Sequence, residues 1–291
     1  MAHPEIWLLL TWVLSWATWR SLPNAWNRES DSCVLMAYGK QTLMPNLTIA
    51  AAQTNSIGGD IAANVAEHAR VVTAAGDLGV QFLVFPELSL TGYEPAIART
   101  RTLAPDDARL DPLRSLSVRL GMAVVAGAPM ASTNGRCRLA ALAFLPDGSV
   151  STYSKQHLHA GEEVFFEPGT GGELLQVGGE TVALAICADA SYPKHAANAA
   201  SRGASVYAAG VVITDKGYQA DAALFERYAA EHGMTCLMAN YAGQTGGWYA
   251  AGKSAIWCAG GRRVAAAEGT EEALVIATRE NGGWRGSVVR V

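Results

Sequence analysis

The sequence predicts an α/β fold with mixed sheets in a single domain. Three observations point there. Short apolar runs alternate with longer amphipathic stretches, the pattern of layered α/β proteins. Several of those runs come in pairs around tight-turn residues, so antiparallel hairpins must interrupt the parallel crossovers. No internal repeat, low-complexity tract or linker divides residues 44–291.

Taken in order, Leu47 to Gln53 is a short apolar run bounded by polar residues and reads as a strand. Asp60 is a suitable N-cap for a helix running to about Asp77, with Gly79 beyond its end. Ile61, Val65, His68, Val72 and Ala75 fall near one face of that helix. Gln81 to Phe85 is a buried-type strand ending at Pro86-Glu87. Asp106 to about Leu120 predicts a second helix, interrupted near Pro112 and stopped by Gly121. Met122 to Ala128 is a strand. Arg138–Leu145 and Val150–Ser154 form a hairpin around Pro146-Asp147-Gly148. Residues 173–177 and 181–186 pair around Gly178-Gly179. A helix over 192–202, a strand over 205–212, a helix over 221–232 and a strand over 235–240 follow. Residues 254–258 and 263–267 pair around Gly260-Gly261, and 273–278 is the last clear strand.

Composition narrows the function. The chain has 291 residues, half of them hydrophobic and 16% charged, with a formal net charge of -4. That length buries a large core. Without a basic surplus, nucleic acid is not an expected partner. The five cysteines (Cys33, Cys137, Cys187, Cys236 and Cys258) form no C-x-x-C pair, which disfavours a zinc ribbon, a dithiol motif and a disulfide scaffold. A reducing, cytoplasmic setting is the expectation.

Residues 1–43 stand apart. Ile6 to Trp19 is an apolar run of 14 residues, short of the roughly 20 that a spanning helix needs. No Lys or Arg precedes it and no small-residue cleavage site follows, unlike a signal peptide. A hydrophobic anchor, an unusual signal sequence and a non-native or mis-started extension are the three readings. The last is preferred, with the domain starting at Met36 or Met44, and a membrane is not an expected partner.

Three segments carry candidate chemistry. Cys187 sits where an apolar strand ends shortly before a helix, a place where open α/β sheets present side chains to a crevice. Taken alone it reads more readily as a buried, inert cysteine. Glu87 follows a buried strand directly, where apolar surroundings could raise its pKa toward that of a useful base, or where it could simply cap or pair. Lys155 follows another strand, although a single lysine is ordinarily a solvated surface residue. His157-x-His159 has metal-like spacing but no third ligand motif. H-E-x-x-H, G-x-S-x-G, P-loop and G-x-G-x-x-G patterns are absent.

Together the three segments change the reading. Phe85-Pro86-Glu87-Leu88 through Tyr93, Tyr153-Ser154-Lys155-Gln156-His157-Leu158 through Gly169, and Ala185-Ile186-Cys187-Ala188-Asp189 through Pro193 resemble the Glu, Lys and Cys motifs of the nitrilase, or carbon-nitrogen hydrolase, superfamily. The resemblance spans residues 47–278. It implies a four-layer α-β-β-α sandwich and hydrolysis of non-peptide C–N bonds in a small-molecule amide, N-carbamoyl compound or nitrile. It makes Cys187 the nucleophile, Glu87 the general base and Lys155 the holder of the tetrahedral intermediate. Glu162 becomes a second acidic residue, with Glu163 a lesser substitute. The Ala188 backbone N–H joins Lys155 as an oxyanion donor, and Tyr93 belongs to the substrate side of the site. Ala188 stands where many nitrilases carry Trp, and Asp189 where they carry Glu, which favours amide or carbamoyl substrates over nitriles. No metal or organic cofactor is implied, and homo-oligomers are expected. A membrane-attached N-acyltransferase with the same triad and a non-catalytic binding module are the competing readings. Substrate selection is expected in residues 94–105 and 214–220. Gly243 to Tyr249 is read as either a pocket wall or a plain flexible loop.

Overall fold

The computed structural model describes residues 46–132, 135–280 and 282–291. The expectations for residues 1–43, Cys33 included, lie outside the described residues.

The first sheet is seeded by β1 (Leu47–Gln53), which leads through helix α1 (Ile61–Asp77) into β2 (Phe82–Val84). Asp60 caps α1 by accepting from the Ala63 N–H. The five face residues predicted from its periodicity are all buried. A short helix α2 (Pro95–Ala98) and helix α3 (Asp111–Leu120) precede β3 (Ala123–Ala131). Pro112 does not interrupt the second helix as predicted. It sits in the first turn of α3, where its missing N–H costs nothing, after a separate 3₁₀ turn over Ala108–Leu110. Gly121 ends α3 in the left-handed conformation. Then come β4 (Cys137–Phe144) and β5 (Val150–Ser154), the predicted hairpin.

The second sheet follows. Strands β6 (Leu175–Val177) and β7 (Glu180–Ile186) pair antiparallel, and helix α4 (Pro193–Ser201) leads to β8 (Val206–Val211). Helix α5 (Asp215–His232) returns the chain to β9 (Thr235–Asn240). This helix begins six residues before the predicted Asp221. Its first turns face solvent, so they lack the apolar period that marks a helix. The segment Gly243–Tyr249 lies largely in a small two-stranded hairpin, β10 (Ala242–Thr245) and β11 (Trp248–Ala251). Strands β12 (Ala255–Trp257), β13 (Arg263–Ala266), β14 (Ala273–Glu280) and β15 (Gly283–Arg290) complete the chain. Strand β15 was not predicted: it is an edge strand that buries little and so shows no apolar alternation.

The strand orders are β15-β14-β1-β2-β3-β4-β5 and β13-β12-β9-β8-β7-β6. In each sheet the central crossovers are parallel (β1-β2-β3 and β7-β8-β9) and the flanking pairs antiparallel. Side-chain alternation stacks the layers. Ile49, Phe82, Val84 and Val125 of one sheet meet Leu184, Ile186, Val206 and Leu237 of the other. The alternate residues Ala50, Leu83 and Val124 pack under α1 and α3. On the far side Tyr207, Met238 and Trp257 pack with Ala196 and Ala199 of α4 and Phe225 and Ala229 of α5. The result is a four-layer α-β-β-α sandwich. Among the described residues no helix is long and apolar enough to cross a membrane.

Candidate active site

Two glycines let the Glu87 segment sink into the sandwich. A Cβ on Gly127 of β3 would lie 2.2 Å from the Leu88 nitrogen, and one on Gly210 of β8 would lie 2.5 Å from the Phe85 oxygen. Neither position tolerates a side chain, because backbone from residues 85–88 fills the space. Leu88 takes a positive φ of 52°, which turns the chain directly after Glu87. Behind it, His68 Nδ1 lies 2.7 Å from the Asn64 carbonyl and must donate, so Nε2 accepts from Ser89 Oγ at 2.9 Å. The same Ser89 oxygen accepts from the Gly127 N–H at 3.1 Å. Burial holds the His68 imidazole neutral, with its pKa lowered to about 4.

Lys155 follows β5 and is wholly buried. Its Nζ donates to Glu87 Oε1 at 2.7 Å and to Glu162 at 2.8 Å. Glu162, also buried, accepts from the Tyr93 hydroxyl at 2.8 Å and from the His159 N–H at 2.8 Å. It thus closes the short turn after Lys155 back onto the ammonium. Glu163 is exposed and takes no part in this set.

Cys187 begins a 3₁₀ turn directly after β7, with a positive φ of 44°. An L-residue in that conformation is strained, and such positions gather at functional sites. Its Sγ contacts the Val212 carbonyl at 3.9 Å. Asp189, fully buried, joins this turn to the segment after Lys155. Its Oδ1 accepts from the Gln156 and His157 N–H groups at 3.0 and 2.9 Å, and its Oδ2 from Tyr153 Oη at 2.7 Å and the Ile186 N–H at 3.1 Å. His195 extends the network to Tyr207. His157 and His159 therefore part: one turns to Asp189, the other to the cavity. Among the described residues no group of three or more His, Cys, Asp or Glu side chains is placed to hold a metal.

A cavity of about 160 Å³ opens over this arrangement. Glu87, Tyr93, Glu162, Cys187 and Ala188 line it, so five of the six residues predicted from the motifs meet there, with Lys155 buried against its two carboxylates. Thr214 and Gly217 also line it, as the selection-loop expectation required, and so does Trp248 of β11. Residues 94–105 do not. Glu94 instead supports the hairpin by accepting from the Gly246 N–H at 3.0 Å. The motifs alone assigned no role to Asp189 or Asp221. The carboxylate of Asp189 was visible in the Cys motif, but its partners became apparent only when the fold brought 153–157 beside 186–189.

Burial pushes the Glu87 pKa up to about 7; Lys155 opposes the shift and Glu162 adds to it. Burial, then the Glu87 charge, pushes the Cys187 thiol well up, against the pull of Lys155. Burial works against the Lys155 ammonium, but Glu87, Cys187 and Glu162 together outweigh it and keep it protonated. Glu87 Oε2 is buried and, among the described residues, accepts no hydrogen bond of ordinary geometry, although the Cys187 thiol helps to hold the Glu87 charge.

Comparisons with known proteins give the family. The family model described as carbon-nitrogen hydrolase matches residues 48–286. A crystal structure of an amidase from Nesterenkonia sp. superposes with a TM-score of 0.74 at 26% identity, covering 82% of this chain and 92% of that one. A mutant of the Nesterenkonia sp. AN1 amidase carrying the acetamide moiety of fluoroacetamide on its active-site cysteine gives the same TM-score of 0.74 at 25% identity, over 81% and 92% of the two chains. A hydrolase of Pseudomonas protegens, described by its place in the pqqF 5′ region, is 29% identical over 75% of this chain and 78% of its own. A nitrilase of Pyrococcus abyssi is 30% identical over 50% of this chain, a match that spans 57% of that protein's length. The chain belongs to the carbon-nitrogen hydrolase family.

Proposed function

We propose that the protein hydrolyses small amides to a carboxylic acid and ammonia through a thioester on Cys187. The observation that carries this is the division of labour on Glu87. One carboxylate oxygen is fixed by Lys155, while the other is buried with no hydrogen bond of ordinary geometry, and the Cys187 thiol is the neighbouring donor that bears on this carboxylate. A buried oxygen without such a bond is costly and is well suited to taking a proton.

In this reading Cys187 rests as a thiol. As Sγ attacks the amide carbon, its proton passes to Glu87 Oε2 and the carbonyl electrons move onto oxygen. Lys155 and the Ala188 N–H hold that oxyanion. Collapse breaks the C–N bond, and Glu87 gives its proton to the leaving nitrogen as ammonia departs. A water then attacks the thioester carbon, losing a proton to Glu87. The second collapse expels the cysteine sulfur, which recovers the proton. Glu162, bonded to Tyr93 and the His159 N–H, keeps the Lys155 ammonium aimed. Electrostatic stabilisation of this kind contributes on the order of 100-fold or more per donor.

The reading favours amides over nitriles because Ala188 leaves open the position next to the sulfur. The test is ammonia release from a panel of amides, N-carbamoyl compounds and nitriles. Turnover of an amide that falls at least about 1,000-fold in Cys187→Ala is expected. Equal ammonia release by the variant would refute the role of Cys187.

A further inference from the structure

We infer that the cavity selects amides bearing a positively charged amino group at the end remote from the scissile bond, with Asp221 as the group that receives it. This rests on the amide reading above and names its substrate class.

The charge inventory comes first. Three carboxylates line the cavity, Glu87, Glu162 and Asp221, and among the lining residues no Lys or Arg is present. The buried Lys155 is already engaged by two of those carboxylates. His159 is the only basic side chain on the wall. A substrate ending in a carboxylate, such as an N-carbamoyl amino acid or the ω-amide of a dicarboxylate, would enter a negative chamber that offers no guanidinium to pair with.

Asp221 is then the carboxylate without a hydrogen bond or close ion pair, with the His159 imidazole as its electrostatic neighbour on the same wall. Among the described residues no side chain hydrogen-bonds to it or pairs with it, and it is half-buried on the wall that Cys187 shares. Its neighbours one turn away along α5 are Gly217, Tyr218, Leu224 and Phe225, so the helix supplies no cation of its own. Gly217 also keeps the carboxylate uncovered: even a Cβ there would come within 3.3 Å of Asp221 Oδ2. Trp248 lines the same cavity from the hairpin and offers an aromatic face, a surface that attracts ammonium groups. Carboxylate and indole together describe a corner for an alkylammonium. A neutral chain would desolvate Asp221 and give nothing back.

The experiment uses three linear amides of matched length: 4-aminobutanamide, pentanamide and succinamate. Dissociation constants are measured by calorimetry on the Cys187→Ala protein and kcat/KM on the wild type. The expected order of affinity is cation, then neutral, then anion. Asp221→Asn, placed in both backgrounds, should reduce the ratio of cation to neutral by about fivefold, the worth of one half-exposed ion pair. An unchanged ratio, a preference for the anion, or no measurable binding of the cationic amide would overturn the inference. Binding in the expected order without turnover by the wild type would instead defeat the amide reading and leave the cavity's selectivity standing. Turnover of pentanamide with an unmoved ratio would do the reverse.

Discussion

At the floor of the cavity, Glu87, Lys155 and Glu162 are at most 3% exposed and bonded to one another. At its rim, Asp221 is partly exposed, His159 is exposed and Trp248 is 49% exposed; an edge-on ring contact between His159 and Trp248 and the charge interaction of His159 with Asp221 join them in place of hydrogen bonds. The floor hangs from the two sheets: from strand ends, from two glycines that admit the Glu87 segment, and from Asp189. The rim hangs from α5 and the β10–β11 hairpin, elements laid over the sandwich. The difference teaches where each property resides. In the proposed mechanism, the groups that pass a proton between themselves are held by backbone that cannot shift without unmaking the core. The groups proposed to choose the substrate sit where replacement costs little folding energy.

The largest expected effect attacks the floor through its scaffold. Gly210→Ala touches no reacting atom, yet its Cβ would meet the Phe85 oxygen at 2.5 Å and push the Glu87 segment away. A displacement near 1 Å should cost about 100-fold in kcat, with about 1–3 kcal/mol of stability lost to overpacking. Steady-state kinetics and urea unfolding measure both. Unchanged kcat would show that the floor does not depend on its depth between the sheets.

A smaller effect sharpens the electrostatics. Glu87 must be ionised to accept the thiol proton, and its pKa is raised to about 7. Activity should therefore fall as pH drops through about 7. The Glu162 charge is one cause of that elevation, so Glu162→Gln should move the acid limb of kcat/KM to lower pH, whatever it does to the plateau. A limb that stays in place would assign it to another group.

The smallest effect on turnover is the one on His68, which acts on stability. Its folded pKa of about 4 lies below the ordinary value of 6.5, so between those values the unfolded chain binds the extra proton. Stability should rise with pH across that window, and about 3 kcal/mol should be lost on descending from pH 6.5 to 4. His68→Gln should flatten that slope when thermal or urea unfolding is followed against pH. A rim variant such as Trp248→Ala serves as the control that leaves the slope intact.

The same division explains what the sequence disclosed. Strand β1, helix α1 and the 137–154 hairpin were legible because each carries a local signal: an apolar run, a capped amphipathic period, a Pro-Asp-Gly turn. The floor was legible too, because Glu87, Lys155 and Cys187 each follow a strand inside a short motif, and the family resemblance carried by those motifs implied Glu162. The rim was not. Asp221 reaches the cavity because α5 carries it there, and Trp248 because a hairpin with a Gly246-Gly247 turn does. Those are products of tertiary packing. The start of α5 and strand β15 escaped for a related reason: both face solvent and bury too little to leave an apolar pattern.

The most direct test of the account is a rapid acid quench during turnover of 4-aminobutanamide, followed by mass measurement of the peptide containing Cys187. The account predicts an adduct with the mass of the acyl group on Cys187, formed and consumed at rates that match ammonia release. Full turnover with no adduct on that cysteine, or with the adduct on another residue, would contradict it.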